Sequence, residues 1–219
     1  MSTLNDKNKQ WLTNKLNGNF AENICSVHFQ SLDYSVEKVG IENIAPTYAK
    51  NSNFFKDNFI KNHLNRTPDF IVSKGTQKAI FVEVKFNSTI NDADESFYRY
   101  GSDLIIKYKN ILFRSKFIDS VTENMPYQDL YKFIRENKED VFKEDVKVYF
   151  YVVIPHKKYY NSYVFLFMPH TIIPLNNYGW RSAKHSEIDK ISGIDEFHLR
   201  YKEIIEPFLE NIFNNKNSK

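Results

Sequence analysis

Two short apolar runs joined by a polar turn constrain this chain more than any other feature, because each run has ionisable residues set into it. The first reads Thr67-Pro68-Asp69-Phe70-Ile71-Val72-Ser73 and the second Ala79-Ile80-Phe81-Val82-Glu83-Val84-Lys85-Phe86. Lys74, Gly75, Thr76 and Gln77 supply the turn, and Gly75 can take a positive φ. Pro68, with no N–H, suits the first residue of a strand. Side chains alternate along a strand, so Glu83 and Lys85 share one face. Folding the hairpin near Thr76 sets Asp69 opposite Glu83, with Ile71 and Phe81 continuing that face. Phe70, Val72, Ile80 and Val82 line the other. Both faces are apolar, so the hairpin belongs inside a sheet covered on two sides. Charged groups are seldom buried without partners, so three of them here call for a use.

Two carboxylates held together repel, and one keeps its proton unless a cation joins them. A hard divalent ion with oxygen ligands, such as Mg²⁺, resolves the conflict while keeping several waters. Such an ion polarises a phosphate oxygen and lowers the pKa of a bound water. A lysine beside it positions that water or stabilises charge on the pentacovalent phosphate. This is equipment for hydrolysing a phosphodiester. The plain alternative is an edge hairpin whose Glu83 and Lys85 pair in solvent. That arrangement turns Asp69, Ile71 and Phe81 outward together and exposes an apolar stripe.

Pro68-Asp69 followed by Glu83-x-Lys85 resembles the motif of the PD-(D/E)xK nuclease superfamily, over about residues 18–110. The resemblance implies an α/β fold with a restriction-endonuclease-like core, a central mixed β-sheet flanked by helices on both sides. It implies the motif on a central hairpin and a further acid on the first helix, which falls on Glu22. It implies Asp69, Glu83, the backbone carbonyl of Val84 and Glu22 as metal ligands, with Mg²⁺ as cofactor and Mn²⁺ as substitute. Lys85 then assists the attacking water, and Glu22 holds a second ion or a metal-bound water. The activity implied is an endonuclease acting on DNA, in restriction, transposition, repair or phage defence. The competing reading is the same fold without cleavage, a module that binds DNA or RNA or positions a partner. A homodimer is expected where both strands of a duplex are cut.

Length and composition fit this reading. At 219 residues, with 42% hydrophobic and 16% aromatic residues, the chain supports one globular domain over residues 1–219, the half beyond residue 110 extending the sheet and adding helices. The net charge of +3 is small for a nucleic-acid binder, so positive charge must be gathered locally. A single cysteine, Cys25, excludes a disulfide framework and a multi-cysteine zinc site, and its apolar setting marks it as core. The polar N-terminus and the lack of a long apolar run point to a cytoplasmic protein with no membrane partner. The histidines at 28, 63, 156, 170, 185 and 198 show no HxH or HExxH spacing. There is no Gly-x-Ser-x-Gly elbow, and six glycines leave no glycine-rich phosphate loop.

Along the chain, Trp11, Leu12 and Leu16 predict a short helix that Gly18 breaks. Phe20, Ile24, Val27 and Leu32 predict a second, carrying Glu22. Residues 34–39 alternate as a strand, and residues 41–66 connect to the hairpin. Helices are expected over 95–113, with Leu104, Ile105 and Tyr108 inward and Asp103 paired to Lys107, and over 127–137. Residues 146–154 and 163–168 read as strands of a second hairpin, with Lys157 and Lys158 in its loop as candidate phosphate contacts. Trp180, Arg181 and Lys184 suit stacking on a base and pairing with phosphate. Residues 194–213 read as an amphipathic helix interrupted by Pro207.

Overall fold

The computed structural model describes residues 6–39, 67–76, 79–89, 94–143, 148–157, 162–167 and 194–214. Strand β1 (Ser35–Lys38) pairs antiparallel with β2 (Phe70–Ser73), and β2 pairs antiparallel with β3 (Ile80–Phe86). The hairpin register is Phe70↔Val82, Ile71↔Phe81 and Val72↔Ile80, which sets Asp69 against Glu83 as the alternation requires. Gly75 turns the corner at φ 56°, in the left-handed region where glycine carries no Cβ penalty. β4 (Val148–Val153) lies parallel to β3, and β5 (Val164–Phe167) is antiparallel to β4. The result is a five-stranded mixed sheet in the order β1-β2-β3-β4-β5, flanked by helices.

A parallel β3/β4 pair needs a crossover, because its strands cannot be joined by a tight turn. Helices α2 (Asp94–Leu112), α3 (Ser115–Ile118), α4 (Tyr127–Glu136) and α5 (Lys138–Val141) lie between the two strands in the chain. Leu104, Ile105, Tyr108, Leu130 and Ile134 pack there with Val148, Phe150 and Val152 of β4 and with Phe81 of β3. The opposite sheet face, Ile80, Val82, Val84 and Tyr151, packs with α1 (Asp6–Gln30) through Ala21, Ile24, Cys25 and Phe29. Every residue of β4 is buried, the pattern of a central strand covered on both faces.

Three expectations need correction. Gly18 does not break the first helix: α1 runs unbroken from Asp6 to Gln30, and a Cβ at Gly18 would meet nothing within 4 Å. A glycine in an exposed helix interior costs about 1 kcal/mol, which a long packed helix absorbs. Val27 shares the helical spacing of Phe20 and Ile24 but is exposed, so the buried stripe follows Ala21, Ile24, Cys25 and Phe29. Residues 194–213 form helix α6 (Ile194–Arg200), a π-helical turn Tyr201–Ile205 and helix α7 (Glu206–Asn214). Pro207 has no N–H to give and its ring would meet the carbonyl four residues back. The π turn widens the helix just before it, with the Glu206 N–H bonded to the Tyr201 carbonyl.

One buried histidine ties these layers together. His28 on α1 is fully buried, with Nε2 3.0 Å from the Phe197 carbonyl and Nδ1 2.9 Å from the Tyr151 hydroxyl. A carbonyl only accepts, so Nε2 carries the proton and Tyr151 donates to Nδ1. The ring also stacks on Phe197 at 3.9 Å between centroids. Burial pushes its pKa down to about 4 against the pull of the Phe197 carbonyl, so the imidazole is neutral.

Candidate active site on the central hairpin

The charged residues of the hairpin gather where β2 begins and β3 ends. Asp69 is fixed from both sides: its Oδ2 accepts the Val84 N–H at 2.7 Å and its backbone carbonyl accepts the Val39 N–H at 3.0 Å. Glu83 is 2% exposed, and its Oε1 is ion-paired to the Lys85 ammonium. Lys85 Nζ also donates to the Val84 carbonyl at 3.0 Å. Lys107 reaches in from α2, with its Nζ 3.8 Å from the same Oε1. Glu83 Oε2 is buried, and the Tyr108 hydroxyl on α2 is the polar group that stands against this carboxylate.

The electrostatics follow from burial and crowding. Burial first, and the Glu83 carboxylate second, push Asp69 up from 3.8 to about 7, against the pull of Lys85 and of the Val84 N–H. Burial opposes the charge on Lys85, but Glu83 and Asp69 outweigh it and raise its pKa. Tyr108 stands beside Glu83 on α2, and burial together with that carboxylate keeps its phenol protonated. Burial likewise holds Tyr100 protonated, although its hydrogen bond with Asn87 works the other way. Cys25, on the far side of the sheet, is a buried free thiol pushed up by burial and by Asp69 and Glu22. It is a core residue, as its setting predicts, and its raised pKa disfavours a thiolate.

Glu22 comes to the same end of the sheet, but from α1. Its Oε2 pairs with the Lys38 ammonium at 2.7 Å, and its charge is felt at Asp69 and Lys85. Glu83 and Lys85 alternate with Val82 and Val84, which pack toward α1, so the hairpin pair faces α2. The acids therefore approach from two sides of the sheet. Among the described residues no group of three or more His, Cys, Asp or Glu side chains converges as a ready-made metal cage. Two carboxylates and one backbone carbonyl, Asp69, Glu83 and Val84, lie next to one another at this end of the hairpin, linked through the Val84 N–H and the Lys85 ammonium. That donor set is hard oxygen throughout, and with waters filling the other positions it fits a Mg²⁺- or Mn²⁺-type ion. Such an ion would relieve the crowding of the Asp69 and Glu83 carboxylates that lifts the Asp69 pKa.

Lys107 and Tyr108 belong to this site, yet the residue pattern does not single them out. Lys107 lies four residues after Asp103 and reads as a surface ion pair. The usable signal was its neighbour: Tyr108 turns inward, so Lys107 stands about 100° away, at the border of the buried face. Lys157 behaves differently from a phosphate contact. Its ammonium pairs with Glu206 at 2.6 Å and with Glu210, and lies 5.1 Å over the Tyr163 ring. Lys158, Trp180, Arg181, Lys184 and the connecting residues 41–66 lie outside the described residues.

Comparison with family models, with curated proteins and with solved structures finds no match. The site sets two carboxylates side by side across the hairpin, with one lysine in contact with Glu83 and a second, half-exposed lysine beside it. Among the described residues no helix is long and apolar enough to cross a membrane.

Proposed function

We propose that the chain is a metal-dependent nuclease with a restriction-endonuclease-like core, hydrolysing phosphodiester bonds of DNA as an endonuclease. The observation that carries this reading is the apposition of Asp69 and Glu83 across the β2–β3 hairpin with Lys85 in direct contact. Mg²⁺, when bound, would supply Lewis-acid polarisation of the phosphate and acidify a water. Asp69, Glu83 and the Val84 carbonyl would hold it. Lys85, charged at neutral pH, orients the attacking water and meets charge developing on the phosphate oxygens. Lys107, 45% exposed, is available to a phosphate of the approaching strand. A duplex cut on both strands calls for two copies of the site, so a homodimer on DNA accompanies this reading.

A cleavage panel tests it: plasmid, linear, branched and single-stranded DNA, and RNA, each with Mg²⁺ and with Mn²⁺. Asp69→Ala and Lys85→Ala should abolish cutting and leave binding intact. Wild-type protein that cuts none of these substrates would sink the proposal.

A second reading has one observation in its favour. Lys85 is already paired with Glu83 and Lys38 with Glu22, so the acids are largely answered by lysines of the chain itself. A non-catalytic nucleic-acid-binding or partner-positioning module would look like this. Binding that survives both alanine changes, with no cleavage by wild type, is its signature.

A further inference from the structure

The pairing of Glu22 with Lys38 bears on how many ions the site takes. Lys38 is the last residue of β1 and stands in register with Phe70, the residue after Asp69. The next residue, Val39, donates its N–H to the Asp69 carbonyl at 3.0 Å, so the strand end carrying Lys38 is bonded directly to the site. The ammonium is 2.7 Å from Glu22 Oε2 and lies 5.8 Å over the Phe70 ring, which fixes it between the helix acid and the hairpin. The Glu22 side chain is 25% exposed and that of Lys38 44%, so the pair is partly shielded from water.

We propose that Lys38 is a built-in cation at Glu22, so that the site takes one divalent ion, at Asp69 and Glu83, and not two. This rests on the reading of the hairpin as a metal site. A second dication at Glu22 would have to displace the Lys38 ammonium and then sit beside it, with Lys85 also near. A unit positive charge about 5 Å from a dication weakens its binding by about tenfold even at the dielectric of bulk water, and by more in a half-buried site. Lys38 supplies the positive charge on the α1 side permanently, without an ion, and Glu22 serves to hold Lys38 against the hairpin. Glu22 is then a positioning residue.

Calorimetric titration with MnCl₂ counts the ions without reference to cleavage. Wild type should bind one Mn²⁺, and Asp69→Asn should lose it. Lys38→Arg keeps the charge and should bind one. Lys38→Met should gain a second, at least about tenfold tighter than any second event on wild type. Adding Glu22→Gln to Lys38→Met should remove that second ion again. Thermal melts of the variants establish that each is folded, and Lys38 is exposed enough for either replacement. Two tight ions on wild type, or a single ion on Lys38→Met with wild-type affinity, overturns the proposal while the nuclease reading stands. No ion on wild type overturns both.

Discussion

Asp69 and Val84 are joined across the hairpin by a side-chain bond, Oδ2 to N–H at 2.7 Å, one residue beyond the Glu83 that Asp69 opposes. The bond fixes the carboxylate where burial first, and repulsion from Glu83 second, lift it to about 7 from 3.8. The folded chain therefore holds a proton between about pH 4 and 7 that the unfolded chain has released. Stability from this group is full below pH 4 and declines as pH rises to 7. Asp69→Asn keeps an acceptor for Val84 and removes the charge. It should stabilise the metal-free protein by on the order of 1–3 kcal/mol at pH 8 and by nothing at pH 4. Thermal melts at the two pH values check this; an equal gain at both would contradict the assignment.

The same carboxylate should make ion binding a proton-releasing event. Below pH 7 a cation must expel the Asp69 proton, so Mn²⁺ affinity should fall by up to about tenfold per pH unit between 7 and 5. Calorimetry at pH 6 in buffers of different ionisation heat should report close to one proton released. Zero released would mean that the ion binds elsewhere.

Lys85 and Lys107 both approach Glu83 Oε1 and should separate in their effects. Lys85→Met should reduce cleavage by about 100-fold or more while retaining Mn²⁺ binding. It should also destabilise the fold by roughly 1–3 kcal/mol, because Glu83 is buried and loses its closest cation. Lys107→Met should cost only about 3–10-fold, mainly in KM, and that loss should shrink with added salt. A kcat effect at Lys107 as large as that at Lys85 would reverse the two roles.

The hairpin was legible because strand alternation has a period of two and the turn between its arms is short. Those two facts alone put Asp69 opposite Glu83 and on the face of Lys85. β4 was legible as a strand from its unbroken apolar run, but its parallel pairing with β3 is a long-range choice that no local pattern encodes. Gly18 misleads in the same way: its local preference is weak beside the packing of Ala21, Cys25 and Phe29 around it. Lys38 reads as ordinary edge-strand charge, and Lys107 as half of a helix-surface pair. Each gains its significance from a residue on another element, Glu22 and Glu83, and such pairings arise only on folding. Glu22 was singled out by its match to the helix acid of the family resemblance, while its engagement by Lys38 was not legible.

His28 should set the acid limit of the fold. Its folded pKa of about 4 lies below the ordinary 6.5, so the unfolded chain takes up a proton first as pH falls. Stability from this group is full above 6.5 and is lost as pH falls toward 4. Tyr151→Phe removes the donor to Nδ1 and should cost about 1–2 kcal/mol at pH 7. His28→Phe should narrow the difference in Tm between pH 7 and pH 5. An unchanged difference would place the acid sensitivity elsewhere.

Lys157 should matter for stability and not for nucleic acid. Its bonds to Glu206 and Glu210 hold the segment after β4 against α7 and raise its pKa, although burial works the other way. Lys157→Ala should lower stability by roughly 0.5–1.5 kcal/mol and leave DNA affinity within about twofold. A large loss of affinity without a change in Tm would restore it as a phosphate contact.

The His28–Phe197 bond spans 169 positions of the chain. The hairpin that carries Asp69 and Glu83 closes over a few residues and can form early in synthesis. Helix α1, which brings Glu22, cannot complete its seat until residue 197 has been made, since one side of the His28 ring has nothing to stack on before then. Long-range contacts of this kind form late. A ribosome-bound chain stalled short of that point would hold its carboxylate pair on an unfinished scaffold. On the nuclease reading proposed above, assembly order then doubles as a safeguard, keeping the cutting centre incomplete while the chain is still beside the message and ribosomal RNA that encode and build it.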